Sequence, residues 1–439
     1  MTPEIKQRID KICHGEVPEG YQRTFLGIAP KSWDKSRIDK ICRLSSGSTP
    51  RRDAVENFAG DILWVTSGEL KRRTIEDTRE KISETAVVNS HLEIYDPGTV
   101  VIAIYGLEAA GIRGTVSIIG KQCTISQACM AFTEFKGIDN EFFYYWYLNN
   151  GQVIGLRYAQ GTKQQNLSTD IVGSFPICFP SQGEQQKIAT ILTTQDKVIE
   201  LKEKRLAEKQ RQKKHLMQQL LTGKKRLPGF SGQWEIKDFN QVFAFGVTNT
   251  FSRECMCEDS TGVKNIHYGD ILVRYGEVLK LSEQEIPSLL SDIGAKITTF
   301  VEDGDVVIAD TAEDLTAGKA VEVQETHGKK VAAGLHTMLC KPIKDCFAPG
   351  WLGYYMNSET YHKQLVPYIA GVKVMSISKG NIVKTHILMP PIEEQAAIAE
   401  VLSTADHEID LLRQDIEQEK QKKKNLMQLL LTGIVRVKT

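Results

Sequence analysis

The residues able to do chemistry are spread thinly through this chain, and their types suit recognition better than reaction. Arg51 and Arg52 follow a loop of small residues, Ser46 to Pro50. Lys71, Arg72 and Arg73 follow a second loop, Thr66 to Glu69. Lys163, Gln164, Gln165 and Asn166 set one cation beside three amides, and Lys373, Lys379 and Lys384 form the most basic stretch of the second half. Guanidinium and ammonium groups hold phosphates and read guanine, and side-chain amides pair with adenine. These residues are the candidate nucleic-acid contacts, although each cluster alone also suits a solvated loop.

Reaction motifs are missing. Ala317-Gly318-Lys319-Ala320 lacks the hydroxyl and upstream glycine of a phosphate-binding loop, and no GxSxG, HExxH or GxGxxG string occurs. Glu200-Leu201-Lys202 resembles half of a nuclease pair but falls within a helical pattern. The nine cysteines are odd in number and scattered, and Cys255-Met256-Cys257 is too tight for a usual zinc site. Reduced thiols and a cytoplasmic setting follow, with no catalytic residue and no metal ligand expected. No apolar run approaches the length of a membrane span.

The elements that must carry these residues come from an internal repeat. Residues 180–226 match residues 390–436 at a constant offset of 210, with 20 of 47 positions identical. Each copy reads as a long helix. The first opens on Ser181-x-x-Glu184, a capping-box pattern, and the second on Pro391. They close on Gly223 and Gly433. Leu192, Ile199, Leu206 and Leu220, with Leu402, Ile409, Ile416 and Leu430, follow heptad spacing that Lys213 and Lys423 interrupt. The first helix carries twelve basic and five acidic residues, and the second is acidic at its start. That asymmetry predicts an antiparallel pair.

The organisation expected is an N-terminal extension over 1–28, a globule over 29–180, a helix over 181–226, a globule over 227–390 and a helix over 391–439. Both globules read as β-rich. Strands are expected at Asp61 to Val65, Thr99 to Tyr105, Gly114 to Ile119, Asp270 to Val273 and Asp305 to Ala309. The globules look like diverged copies, with Gly60-Asp61-Ile62-Leu63 matched to Gly269-Asp270-Ile271-Leu272. Trp64 to Gly68 is then replaced by Val273 to Glu277, and Gly334 to Thr337 stands near where the first block has Ser126-Gln127-Ala128. The fold class is α+β: two β-rich mixed domains and two repeated helices in an antiparallel coiled coil, pseudo-two-fold symmetric. The 55 basic and 55 acidic residues cancel, so bulk charge does not hold nucleic acid.

The string Gly60 to Leu70, the Ser46 to Pro50 loop, Ile125-Ser126-Gln127 and Pro180 to Ile188 resemble the specificity subunit of type I restriction–modification systems. So does the whole plan of two variable blocks and two repeated helices. The resemblance implies two target recognition domains, each reading half of an asymmetric bipartite site on double-stranded DNA. It implies helices that set the spacing and dock two methyltransferase subunits, with endonuclease–translocase subunits joining them. S-adenosylmethionine, ATP and Mg²⁺ would then sit on those partners and no cofactor on this chain. Two other readings remain open: a self-contained methyltransferase or nuclease with degenerate motifs, and a coiled-coil adaptor that binds no DNA.

Overall fold

A computed structural model describes residues 2–104, 115–158, 167–258, 262–343 and 346–438, with the side chains of 152 and 155–158 left aside. The chain forms two compact units, one of residues 1–202 with 416–439 and the other of residues 203–415. The division falls within both long helices, so each unit is a globule together with half of each helix.

In the first unit, helix α1 (Pro3–Cys13) is capped by Thr2 and opens on a proline. A five-stranded sheet follows, in the order β1 (Arg43–Ser46), β7 (Cys129–Thr133), β4 (Val100–Ala103), β5 (Val116–Ile119) and β3 (Thr74–Ile75). The β3–β5 pair is parallel and the others antiparallel. Beside it, β2 (Ile62–Val65) runs parallel to β6 (Cys123–Ile125). The central strands are apolar on both faces because both are covered. Val100, Ile102, Met130 and Phe132 pack with the aromatic run Phe142 to Tyr147 of α2 (Asn140–Tyr158) and with Ile188, Leu192, Met427 and Leu430. Val101, Ala103 and Ala131 pack under Val65, Leu70 and Ile125. The first long helix, α3, runs Gln182–Leu220.

The second unit repeats this plan. Its sheet order is β8 (Phe243–Phe245), β14 (Thr337–Pro342), β11 (Val306–Ala309), β12 (Ala320–Gln324) and β10 (Val278–Lys280). Strand β9 (Lys264–Ile266) pairs in parallel with β13 (Val331–Ala333). Between β9 and β10 lies helix α4 (Tyr268–Val273). Helix α5 (Trp351–Met356) covers one sheet face together with Leu220, Leu221, Ile398 and Leu402. The second long helix, α6, runs Ile392–Leu431.

Strands form where expected at Ile62–Val65, Val100–Ala103, Val116–Ile119 and Val306–Ala309. Asp270 to Val273 is the exception, for it is helical. The His267 ring nitrogen Nδ1 accepts from the Gly269 amide at its start, and Asp270 pairs with Arg253. Register corrects the repeat as well. Leu63 stands beside Cys123 as Lys264 stands beside Val331. The counterpart of Trp64 to Gly68 is therefore Asn265 to Gly269, not Val273 to Glu277. The matching Gly-Asp-Ile-Leu strings occupy different places in the two units.

The helix halves run antiparallel in each unit. Gln195 and Lys202 both reach Glu419 in the first, and Lys209 reaches Glu408 in the second. Leu192, Ile199, Leu220, Leu402, Ile409, Ile416 and Leu430 are buried, and Leu206 is half-buried. Gly223 and Gly433 adopt positive φ at the helix ends, where a Cβ on Gly433 would strike the Pro30 ring. The capping pattern at Ser181 resolves otherwise. The Glu184 carboxylate accepts from Arg436 and from the Val437 amide, since a buried carboxylate gains more from a guanidinium than from its own first turn.

Candidate nucleic-acid interface

Each globule is seated on its helix halves by the same set of residues. In the first unit Arg436 makes a forked pair with Glu184 at 2.8 and 2.7 Å. In the second, Arg226 makes it with Glu394 at 2.5 Å to both oxygens, and the Trp234 indole also donates to Glu394. The Gln185 amide accepts from the Asp139 N–H and donates to the Gly137 and Pro180 carbonyls. Gln395 treats Ala348, Cys346 and Pro390 likewise. Asp196 accepts from the Tyr145 hydroxyl at 2.6 Å and pairs with Lys423 at 2.6 Å. Asp406 accepts from Tyr354 at 2.7 Å and pairs with Lys213 at 2.5 Å. Both lysines break the heptad seam in the sequence. In the structure they are the cations of this buried cluster.

One position of the cluster inverts its charge. Thr74 pairs with Ile118, which pairs with Val100; Val278 pairs with Glu322, which pairs with Val306. Arg73 and Glu277 therefore hold equivalent places. Arg73 pairs with Glu141 and lies 3.8 Å from Asp196. Glu277 instead pairs with Lys213 at 2.7 Å. Burial raises the Asp406 carboxyl above its ordinary value; Lys213 opposes this rise, and Glu277 adds to it. For Lys213 burial pulls downward, but the Glu277 and Asp406 charges outweigh it and the ammonium is held above its ordinary value.

The other candidate contacts distribute as follows. Arg51 is exposed and paired with Asp53 at 2.7 Å. Arg52 forks onto Glu80 and lies over the Phe58 and Trp64 rings. Lys71 and Arg72 are exposed with no ion-pair partner among the described residues, whereas Arg73 is turned to the helices. Lys163, Gln164, Gln165 and Asn166 lie outside the described residues. Lys373 is exposed on a tight hairpin at the Gly371 turn. Lys379 lies over the Phe245 ring, and Lys384 lies over Tyr368 and donates to Asn381.

Strand direction gathers several of these at one end of each sheet. In the first unit the turns after β1, after β2 and before β7 meet there: Gly47 N–H donates to the Cys129 carbonyl, and Ser126 N–H to Val65. In the second, the loops after β8 and β11 and before β14 meet, and Thr311-Ala312 pairs with Met375-Ser376 of the Lys373 hairpin. Sequence reasoning missed Gln127 and His336 at these turns. Their signals were the likeness between Ser126-Gln127-Ala128 and Gly334 to Thr337 and, for Gln127, its place in Ile125-Ser126-Gln127. No group of three His, Cys, Asp or Glu side chains among the described residues could hold a metal ion. No described helix is long and apolar enough to cross a membrane.

Two unlike sets of sheet-end loops thus stand on one repeated framework. Residues 30–211 match the type I restriction modification DNA specificity domain. The MjaIX specificity subunit of Methanocaldococcus jannaschii is 30% identical over 188 residues, 42% of this chain and 42% of that protein, so this match spans under half of that relative. The MjaVIII specificity subunit of the same organism is 24% identical over 427 residues, 93% of this chain and 94% of the relative. The type I specificity subunit structure from M. genitalium superposes with a TM-score of 0.54 at 13% identity, over 91% of this chain and 96% of that one. A chain from a study of type I complex assembly and conformational transition superposes with a TM-score of 0.56 at 16% identity, over 93% and 99%. Residues 30–211 thus resemble that specificity domain, and the chain is similar to the MjaVIII specificity subunit along nearly its whole length.

Proposed function

We propose that this chain is the DNA-recognition subunit of a type I restriction–modification complex. Each unit reads one half of an asymmetric bipartite site. The observation that carries this reading is the repetition of one sheet and one helix anchor beneath sheet-end loops that differ in sequence. A common framework under unlike loops suits two different half-sites presented in the same manner.

The helices dock two methyltransferase subunits, and endonuclease–translocase subunits join through them. Adenine methylation and DNA cleavage belong to those partners, as do S-adenosylmethionine, ATP and Mg²⁺. The assembly works in the cytoplasm. The cancelling charges of this chain make it a weak DNA binder alone, with the partners supplying much of the phosphate contact.

The test is methylome sequencing of a methylation-free strain that expresses the chain with its methyltransferase subunits. A two-part asymmetric motif separated by unspecified bases is expected. Replacing residues 29–180 with another such block changes one half of that motif and leaves the other. No motif, or both halves changed, overturns the reading.

A further inference from the structure

We infer that His336 is a base-reading residue of the second unit and that Gln127 stands at the corresponding turn of the first; this rests on the DNA-recognition reading above. Register sets the correspondence. Cys129 lies opposite Ala103 as Thr337 lies opposite Ala309. The amide of Ile104 donates to the Ala128 carbonyl, and that of Asp310 to the His336 carbonyl. The two turns thus correspond, with His336 in the place of Ala128 and the exposed Gln127 one residue before that place.

The turn around His336 is built to be rigid. His336 has φ of +54°, a strained value for a residue with a Cβ, and backbone strain of this kind is held where the surroundings over-determine it. The buried Thr337 hydroxyl donates to the Gly334 carbonyl at 2.6 Å, and the Gly334 amide donates to Ile266. The ring stands edge-on to Tyr268 at 5.3 Å. Its Nδ1 is 3.5 Å from both Asp310 Oδ1 and Thr311 Oγ1. In the neutral ring a proton on Nδ1, on the side of Asp310 and Thr311, leaves Nε2 as an acceptor. About half of the side chain is exposed to solvent.

An exposed acceptor on a rigid turn matches the amino groups that cytosine and adenine display in the major groove. The adjoining hairpin supplies what a base reader lacks. Thr311 pairs with Ser376, and this hairpin carries Lys373 with Val372 and Val374, all exposed. A cation there can hold a phosphate while the valines offer apolar contact to a thymine methyl. Gln127 offers both donor and acceptor, the pattern that pairs with adenine.

The experiment uses the complex with methyltransferase subunits and a panel of duplexes changed one base at a time. His336→Asn and His336→Gly both tolerate the positive φ. In the wild-type complex one position of the second unit's half-site, a cytosine or adenine, is preferred by about fivefold or more. In His336→Gly that preference falls toward one, in His336→Asn it falls or moves toward adenine, and in both all other positions keep theirs. Discrimination is a ratio, so it survives a general loss of affinity. Unchanged ratios at every position, or an equal loss of affinity for every duplex, overturn the inference while leaving the function intact. A wild-type complex with no bipartite preference at all overturns the function reading instead.

Discussion

The two units solve one docking problem with opposite charges. The helices offer each globule the same pair, an aspartate and a lysine, and the two pairs are related by the 210-residue offset. The first globule answers with Arg73, held by Glu141 and directed at Asp196. The second answers with Glu277, directed at Lys213. Lys213 therefore neutralises two carboxylates, whereas Asp196 faces two cations that Glu141 helps to balance. A scaffold that offers both signs accepts a globule of either sign at this position. The difference also predicts that the two anchors fail unequally.

The largest effect comes from removing the shared cation. Lys213→Met leaves Glu277 and Asp406 facing each other in a largely buried site, and a loss of about 3 kcal/mol in the second unit is expected. Lys423→Met leaves Arg73 and the Tyr145 hydroxyl beside Asp196, so about 1 kcal/mol is expected in the first. Hydrogen exchange read separately on each unit measures both. Equal losses would break the comparison.

The forked pairs provide its control. Glu184→Gln and Glu394→Gln each remove a buried charge from a guanidinium in the same geometry, and each costs about 2 kcal/mol in its own unit. The same exchange measurement checks that the two agree.

A smaller effect sharpens the charge inversion. Arg73→Glu sets a carboxylate where Glu277 stands in the other unit, within the reach of Lys423. With Glu141→Gln added, the double variant recovers most of the stability that the single variant loses. A double variant weaker than the single one would show that the two positions are not equivalent.

The smallest effect is a pH dependence confined to the first unit. Hydrogen bonds from Gln195 and Lys202 bring the Glu419 carboxyl down to about 2. Such a group stabilises above the ordinary glutamate value and loses that contribution as pH falls toward 2. In Glu419→Gln the first unit's acid unfolding profile is therefore shallower between about pH 5 and 2. The second unit, with Lys209 at the corresponding position, keeps its profile. Spacer length tests the helices directly: one heptad inserted near Ala207 alters the bases between the half-sites and leaves both half-sites unchanged.

The long helices were legible because their signals are local. Heptad leucines, closing glycines and the 210-residue offset all survive without knowledge of the fold. The strands of the first globule were legible for the same reason, as β-branched runs between turn residues. Gly-Asp-Ile-Leu shows the limit. At Gly60 a Cβ would lie 2.3 Å from the Ile82 carbonyl oxygen, so the glycine permits strand pairing. At Gly269 the same four residues enter a helix capped by His267. Neither the cap nor the Arg253 partner of Asp270 lies within the string. Candidate contacts divided in the same way. Lys71, Arg72 and Arg73 are consecutive, yet the first two are exposed and the third reaches the helices, because the short strand that follows fixes its direction.

By itself the sequence determined the repeat, the two helices, the α+β class and the resemblance to the specificity subunits, since periodicity and duplication are written in residue order. Only the tertiary structure decided that the seam lysines are buried counter-ions, that Arg73 and Glu277 share a place, and that Gln127 and His336 stand one register step apart on corresponding turns. Those relations depend on strand register and on partners far apart in the chain, as for Lys423 and Asp196, 227 residues apart. Pairing at that distance is set by which surfaces close on one another, and no local pattern records it.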